Sequence, residues 1–411
     1  MEESLIKQAK ECVLAVNGGS SSIKFAMYQI DEPPKRWLYG KIDRIGLPGT
    51  NLTFNDPIRN QIDNLSIESS DYRSAVNFLI DWLEERIGFA SVRAVGHRVV
   101  HGMKYTRPER VTQELLDELY RIRPYDPDHL PGEIELIETF RRCYPKLLQA
   151  ACFDTAFHCT MPRVARLLPI PRQFDAMGIQ RYGFHGLSYA YLMEELARIA
   201  GEKAARGRVI LAHLGNGASV TAVRNGKSVD TSMGFTPSGG LPMGTRPGDL
   251  DPGVAWYLMN IGNLTPEQFN DLINHESGLL GVSETSSDMR DLLERQTSDV
   301  RAAEAVELFC YQTRKWIGAF ASVLGGLETL VFSGGIGENA GEVRSRICSG
   351  LGFLGIELDE ARNAVNAPVI SSAASPAAVR VIKTDEEMMI AKITCRILAE
   401  KEGDKNKGVT L

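Results

Sequence analysis

The chain has 411 residues, a formal net charge of −6 and 24% charged side chains. That length predicts two domains, each able to bury a core without staples, and an acidic balance with no basic tract argues against a nucleic-acid binder. Seven scattered cysteines without a C-x-x-C pair fit reduced thiols better than a disulfide framework or a zinc site, and no apolar window of about 18 residues predicts a membrane span.

The N-terminus, Met1-Glu2-Glu3-Ser4, is acidic and lacks the apolar stretch of a signal peptide. The apolar run Val13-Leu14-Ala15-Val16 then predicts a strand, followed at once by Asn17-Gly18-Gly19-Ser20-Ser21-Ser22-Ile23-Lys24. Glycines let a backbone turn sharply and approach a ligand. Hydroxyls and N–H groups are donors, and Lys24 adds a point charge. Such a turn suits phosphate; the competing reading is a polar β-turn. Val76, Leu79, Ile80, Leu83 and Ile87 recur at helical spacing and predict a helix over 71–87. A second is expected over 132–142, with Pro131 at its start.

Residues 209–230 repeat the layout of 13–31: an apolar strand, a glycine-rich turn with small hydroxylated residues, and a second strand. Asn225-Gly226 marks the hairpin that follows. The shared plan predicts two similar domains, against the alternative of two unrelated hairpins. Thr265-Pro266-Glu267 predicts a helix start. A long helix is expected over 299–324, closed by Gly325-Gly326. Over 329–348 a strand runs into a glycine turn and a helix. Gly335-Ile336-Gly337 with Ala340 satisfies the loose dinucleotide fingerprint, and Glu357 or Asp359 falls about 20 residues on. A nicotinamide or flavin oxidoreductase is therefore a rival, but it leaves the other two glycine turns without a role. A nucleotide bound between two lobes uses all three. The last helix is expected over 385–401, with the charged tail after Glu402 fraying. Alternating strands and helices indicate α/β architecture.

Taken in order, several stretches resemble the acetate kinase (acetokinase) family, within the sugar kinase/actin-like ATPase group. They are the opening turn, "GHRVVHG" (96–102), "FDTAFH" (153–158), "YGFHG" (182–186), "HLGNGAS" (213–219), "DTSMGFTP" (230–237), "MGTRPGD" (243–249), "SSDMRDL" (286–292), "GGIGEN" (334–339) and "TDEE" (384–387). The resemblance implies an α/β fold of two duplicated actin-like (ribonuclease H-like) domains flanking a nucleotide cleft. The expected domains are 1–153 with the C-terminal helix 386–411, and 154–385. It further implies reversible transfer of the γ-phosphoryl of ATP to a short-chain carboxylate, giving an acyl phosphate and ADP. Mg²⁺ is the expected metal, with Mn²⁺ as a substitute. A cytoplasmic homodimer is expected, with no nucleic-acid or membrane partner.

By motif, Arg98 resembles the carboxylate-holding arginine and Arg246 a transition-state stabiliser, since guanidinium forks suit carboxylate and phosphoryl oxygens. Val100 would line the pocket for the alkyl end. His185 resembles the histidine that donates to the moving phosphoryl. Asp154 matches the family's catalytic aspartate, with orientation of Arg98 or of a metal-bound water its expected task. Asn17 and Glu386 resemble the Mg²⁺-associated pair; Glu387 is read as a favourable helix-dipole charge. Lys24 and the turn His213-Leu214-Gly215-Asn216-Gly217 should face the phosphates. Asp288, Met289 and Arg290 resemble the adenosine-contacting segment, and Gly335, Ile336, Gly337, Glu338 and Asn339 would complete that pocket.

The chain departs from the family pattern at Tyr125 and Tyr189, where histidines are common, at Leu187, where threonine is common, and at Met103, where a glycine is common. His129 is spaced to lie elsewhere on the Tyr125 loop. These changes touch the acceptor neighbourhood, so propionate or butyrate competes with acetate. An actin-like ATPase switch with no small acceptor is the rival from another class.

Overall fold

The structure is a computed structural model that describes residues 10–407 apart from 20, 58 and 70. Ser20 of the opening turn, the acidic first residues and the end of the tail, 408–411, lie outside the described residues. The chain divides into two compact units, one of residues up to Ala156 together with those from Asp385 onward, the other Phe157–Thr384. The first unit thus takes in Asp154 and Asp385, each expected in the second. The Asp154 N–H bonds Val99 O (3.0 Å) and its carboxylate bonds Arg98, which ties it to the strand that precedes it in space.

In the first unit, β1 (Cys12–Gly18) is buried along its whole length. It pairs antiparallel with β2 (Ile23–Gln29), which continues through β3 (Lys35–Asp43), β4 (Asn51–Asp56) and β5 (Gln61–Ser66). On its other side lie β6 (Val92–Val99), β7 (Glu109–Arg110) and β8 (Leu148–Phe153), in sheet order β5-β4-β3-β2-β1-β6-β8-β7. The helix expected over 71–87 spans Tyr72–Ile87. Its N-terminus is closed by a reciprocal cap, Ser74 N–H to Asp71 Oδ1 (2.8 Å) and Asp71 N–H to Ser74 Oγ (3.2 Å). Its buried face, with Val76, Leu79 and Leu83, packs in one core with Phe25, Met27 and Phe54. Strands β3 to β5 were not expected from the sequence. Most of β5 faces solvent and its apolar alternation is sparse, so period 2 carries little signal there.

In the second unit, β9 (Arg208–Leu214), β10 (Ala218–Arg224), β11 (Lys227–Thr231), β12 (Thr329–Ser333) and β13 (Ala378–Val381) form a sheet in the order β11-β10-β9-β12-β13. β9–β10 and β10–β11 are antiparallel; β9–β12 and β12–β13 are parallel. That is the plan of β3-β2-β1-β6-β8, so the repeat read in the sequence is a repeat of topology. Asn225 (φ 54°) and Gly226 (φ 73°) make the tight turn between β10 and β11. The long helix Val300–Leu324 starts at the cap Asp299 and stops at Gly325 (φ 73°), where a left-handed residue ends the hydrogen-bond ladder.

Two expectations need correction. The stretch 334–339 is a short helix, Gly334–Asn339, entered through Gly334 at φ 75°. The last helix begins at Glu386 and its backbone is helical to Lys407, past the expected end near 401. Alanine, glutamate and lysine in 399–402 favour that continuation.

Candidate active site

In the first unit, parallel β1 and β6 end side by side, which brings Asn17 and Arg98 together. Arg98 Nη1 reaches Gly18 O (3.3 Å) and Asn17 Oδ1 (3.5 Å). Its Nε and Nη2 donate to Asp154 Oδ2 at 2.9 and 2.6 Å. Burial opposes the guanidinium charge, but Asp154, then Glu386 and Glu133, outweigh it and hold Arg98 firmly protonated. The Asn17 amide donates to Glu386 Oε2 (2.9 Å) and to Glu387 Oε1 (3.1 Å). Burial raises the Glu387 pKa, Lys24 opposes the rise and Glu386 adds to it. Both carboxylates therefore flank Asn17, whereas the sequence reading assigned only Glu386 to it. Glu387 is more than a dipole charge, and adjacency in "TDEE" was the available signal.

Lys24 lies opposite Asn17 in the β1–β2 register. It lines a cavity of about 730 Å³ together with Tyr39, Lys41, Asn64 and Glu387. Val100 is buried, and its N–H donates to both oxygens of Glu133, at 3.1 and 3.0 Å. Glu133 was not singled out in the sequence. Burial pushes its pKa well up, against the pull of Arg98 and with the help of Asp126. His129 precedes the helix Leu130–Cys143 without a side-chain capping bond, and its Nδ1 is 2.8 Å from Asp126 Oδ1.

In the second unit, the turn after β9 carries His213, Leu214, Gly215, Asn216 and Gly217. A Cβ on Gly217 would lie 2.9 Å from Arg246 Nη2 and 3.2 Å from His185 Nε2, so the two side chains converge over that glycine. Arg246 is held by Nη1 to Pro237 O (2.8 Å). His185 adopts a left-handed backbone (φ 59°) just before helix Gly186–Ala200, which turns its ring toward β9 and β10. Its Nδ1 is 2.8 Å from Ser219 Oγ, and its ring stacks on that of His213 at 4.3 Å between centroids.

Beside this turn is a cavity of about 580 Å³ lined by Gly215, Asn216, Asp288, Met289, Arg290, Gly335, Ile336 and Asn339, with Ser287, Leu293 and Ala340 added by the fold. Three distant sequence motifs meet there: the turn after β9, the helix that follows its parallel neighbour β12, and the start of the helix Met289–Arg295. Asp288 caps that helix and pairs with Arg290 (Nη2 to Oδ2, 2.5 Å). Six expected contacts do not line the cavity, and Lys24 is one of them, because it lines the cavity of the first unit instead. Leu214 is fully buried, and His213 bonds Ser188 Oγ through Nδ1 (2.8 Å). Gly217 sits under Arg246 and His185 instead. Gly337 is buried, with its carbonyl taken by Arg344 Nη1 (2.8 Å). Glu338 turns back to accept from Gly334 N (3.0 Å), Thr384 N (3.1 Å) and Ser333 Oγ (3.3 Å).

All seven cysteines are free, and no helix among the described residues is long and apolar enough to cross a membrane. Among the described residues no three His, Cys, Asp or Glu side chains cluster as a metal site. Asn17, Glu386 and Glu387 nevertheless offer two carboxylates and an amide oxygen, a donor set that suits a hard cation keeping several waters.

Residues 12–392 match the acetokinase family, which spans both glycine turns and both sheets. The chain belongs to that family. An acetate kinase of Methylocella silvestris is 43% identical over 399 residues, covering 94% of this chain and 98% of the relative. A propionate kinase of Citrobacter rodentium is also 43% identical, over 398 residues, covering 94% and 97%. The crystal structure of a propionate kinase from Francisella tularensis superposes with a TM-score of 0.87 at 36% identity, covering 94% of this chain and 99% of the other. As an acetokinase the chain is a phosphotransferase with a carboxyl acceptor, on the duplicated actin-like fold. The oxidoreductase and switch readings fall with that membership. The Gly335-Ile336-Gly337 fingerprint lies within a short helix instead of the expected glycine turn.

Proposed function

We propose that this kinase transfers the γ-phosphoryl of ATP to acetate, giving acetyl phosphate and ADP. The observation that carries the reading is the convergence of Arg246 Nη2 and His185 Nε2 over Gly217, beside a nucleotide-sized cavity. Both groups are donors suited to the charge spread over the equatorial oxygens of a moving phosphoryl. A carboxylate oxygen attacks the γ-phosphorus as the bond to the β–γ bridging oxygen breaks, and the departing charge stays on ADP. The acceptor is ionised at neutral pH, so no proton has to be removed. Asp154 is therefore assigned to orienting Arg98, whose fork holds the carboxylate, with Val100 at the alkyl end. Gly215, Asn216, Asp288, Met289, Arg290, Gly335, Ile336 and Asn339 take the nucleotide, and Lys24 contributes positive charge.

Mg²⁺ is assigned to Asn17, Glu386 and Glu387, where bound it would neutralise phosphate charge. A cytoplasmic enzyme is supported by the free cysteines, four of them buried. A homodimer is supported by helix Pro252–Asn260, which has no buried residue and exposes Trp256 (62%) and Tyr257 (57%). Propionate is the second reading, favoured by the propionate kinase relatives. One methylene changes discrimination by only about 1–3 kcal/mol.

The test is incubation with ATP, Mg²⁺ and hydroxylamine across acetate, propionate and butyrate. Acyl hydroxamate formed best from acetate supports the proposal; a higher kcat/KM with propionate replaces it by the second reading. Absence of product with every acid, while ATP still binds, would overturn both.

A further inference from the structure

Tyr189 stands where a histidine is common in the family pattern, and the structure gives the phenol a specific neighbour. Tyr189 and Ser219 are both fully buried, and their hydroxyls are in close hydrogen-bond contact. Ser219 Oγ is in turn 2.8 Å from His185 Nδ1. The three side chains form one line: Tyr189 Oη, Ser219 Oγ, His185 Nδ1. We propose that Tyr189 is a positioning residue that acts through Ser219 to fix the tautomer of His185, so that Nε2 carries the hydrogen and faces Gly217 and Arg246.

The direction of the line follows from donor and acceptor capacity. Burial drives the phenol pKa far up, so Tyr189 keeps its proton. Among the described residues, Ser219 Oγ is the acceptor this O–H reaches. The reverse direction would leave a fully buried phenol O–H without an acceptor, which is unfavourable. With Tyr189 donating to Ser219, the serine O–H donates onward to Nδ1. A nitrogen that accepts carries no hydrogen, so the ring hydrogen sits on Nε2. His185 then offers an N–H donor in the direction from which Arg246 also approaches. The inference rests on His185 serving the moving phosphoryl, but the tautomer itself is a property of the resting enzyme.

The test is nitrogen-15 NMR of histidine-labelled enzyme, with the His185 signals assigned by comparison with a His185→Gln variant. Wild type should show His185 Nδ1 without hydrogen and Nε2 with it. In Tyr189→Phe, which keeps the ring packing against Phe157 and His158, the serine hydroxyl is free to rotate and both tautomers should appear. kcat should fall about tenfold, near the upper range of one hydrogen bond, with both KM values little changed. Because the groups act as a unit, Tyr189→Phe and Ser219→Ala together should cost no more than Ser219→Ala alone. Hydrogen on Nδ1 in wild type, an unchanged tautomer in Tyr189→Phe, or losses that multiply would each overturn the relay. If the tautomer shifts as expected while kcat stays constant, the relay holds and the catalytic role of His185 falls instead.

Discussion

Arg98 and Asp154 are joined through a single oxygen: Asp154 Oδ2 accepts from both Nε and Nη2 of the guanidinium, at 2.9 and 2.6 Å. Asp154 is almost fully enclosed and Arg98 is 15% exposed at its side chain, so solvent screens the pair little. The aspartate fixes the plane of the fork, which is what a planar carboxylate substrate requires. Asp154→Asn should raise the acceptor KM far more than the ATP KM. Asp154→Ala should also lower stability by about 3 kcal/mol, because a buried cation loses its partner. Steady-state kinetics and urea unfolding check both. Equal effects on the two KM values would remove Asp154 from the acceptor side.

Gly217→Ala tests the other unit. The new Cβ would meet Arg246 Nη2 at 2.9 Å and His185 Nε2 at 3.2 Å. The ends of the two side chains must shift, while the backbone there needs no left-handed conformation. The expected result is a fall in kcat of more than about tenfold, with a change in folding stability of about 1 kcal/mol or less. Unimpaired kcat would show that these two groups do not attend the reacting phosphoryl.

Acid should weaken both units for one reason. His97 in the first and His158 in the second are fully buried, and burial lowers each pKa from 6.5 to about 4, with hydrogen bonds to Gln149 and to Phe184 O opposing. The folded state binds fewer protons than the unfolded one between those values. Stability is therefore complete above about pH 6.5 and is lost as pH falls toward 4, by about 3 kcal/mol per histidine. Glu133 has the opposite sign. Its pKa is raised by burial, so its contribution is complete below the usual carboxylate range and declines as pH rises through the raised value. Urea titrations from pH 4 to 9 should show the acid slope reduced in His158→Gln and the alkaline slope reduced in Glu133→Gln. Identical slopes in the variants would show that these groups are not buried in their neutral forms.

The apolar surface of helix Pro252–Asn260 should be covered in solution. Trp256→Glu combined with Tyr257→Glu should convert a dimer to a monomer in sedimentation velocity at micromolar protein. A wild-type monomer under those conditions would refute the dimer.

The helices over 71–87 and 299–324, both glycine turns and the duplicated strand pairs were legible because their signals are local: periodicity, caps and punctuating glycines. Strands β3 to β5 were not, since their open face is polar and only pairing across the sheet makes them strands. Within the candidate site, Arg98, Asp154, His185 and Arg246 were recognisable as motif residues. Ser219 lay inside a quoted motif without a role, and Glu133 gave no signal at all, because burial beneath Val100 is a property of packing.

The amino-acid order alone determined the family, the α/β class and which residue types stand at the ends of β1 and β9, because each is written in short contiguous stretches. Only the tertiary structure decided that Glu387 flanks Asn17 beside Glu386, that Glu338 turns away from the cavity, and that Tyr189, Ser219 and His185 form one line. Those relationships join residues far apart in the chain or set the direction of a side chain, and both depend on how neighbouring elements fill the space around them.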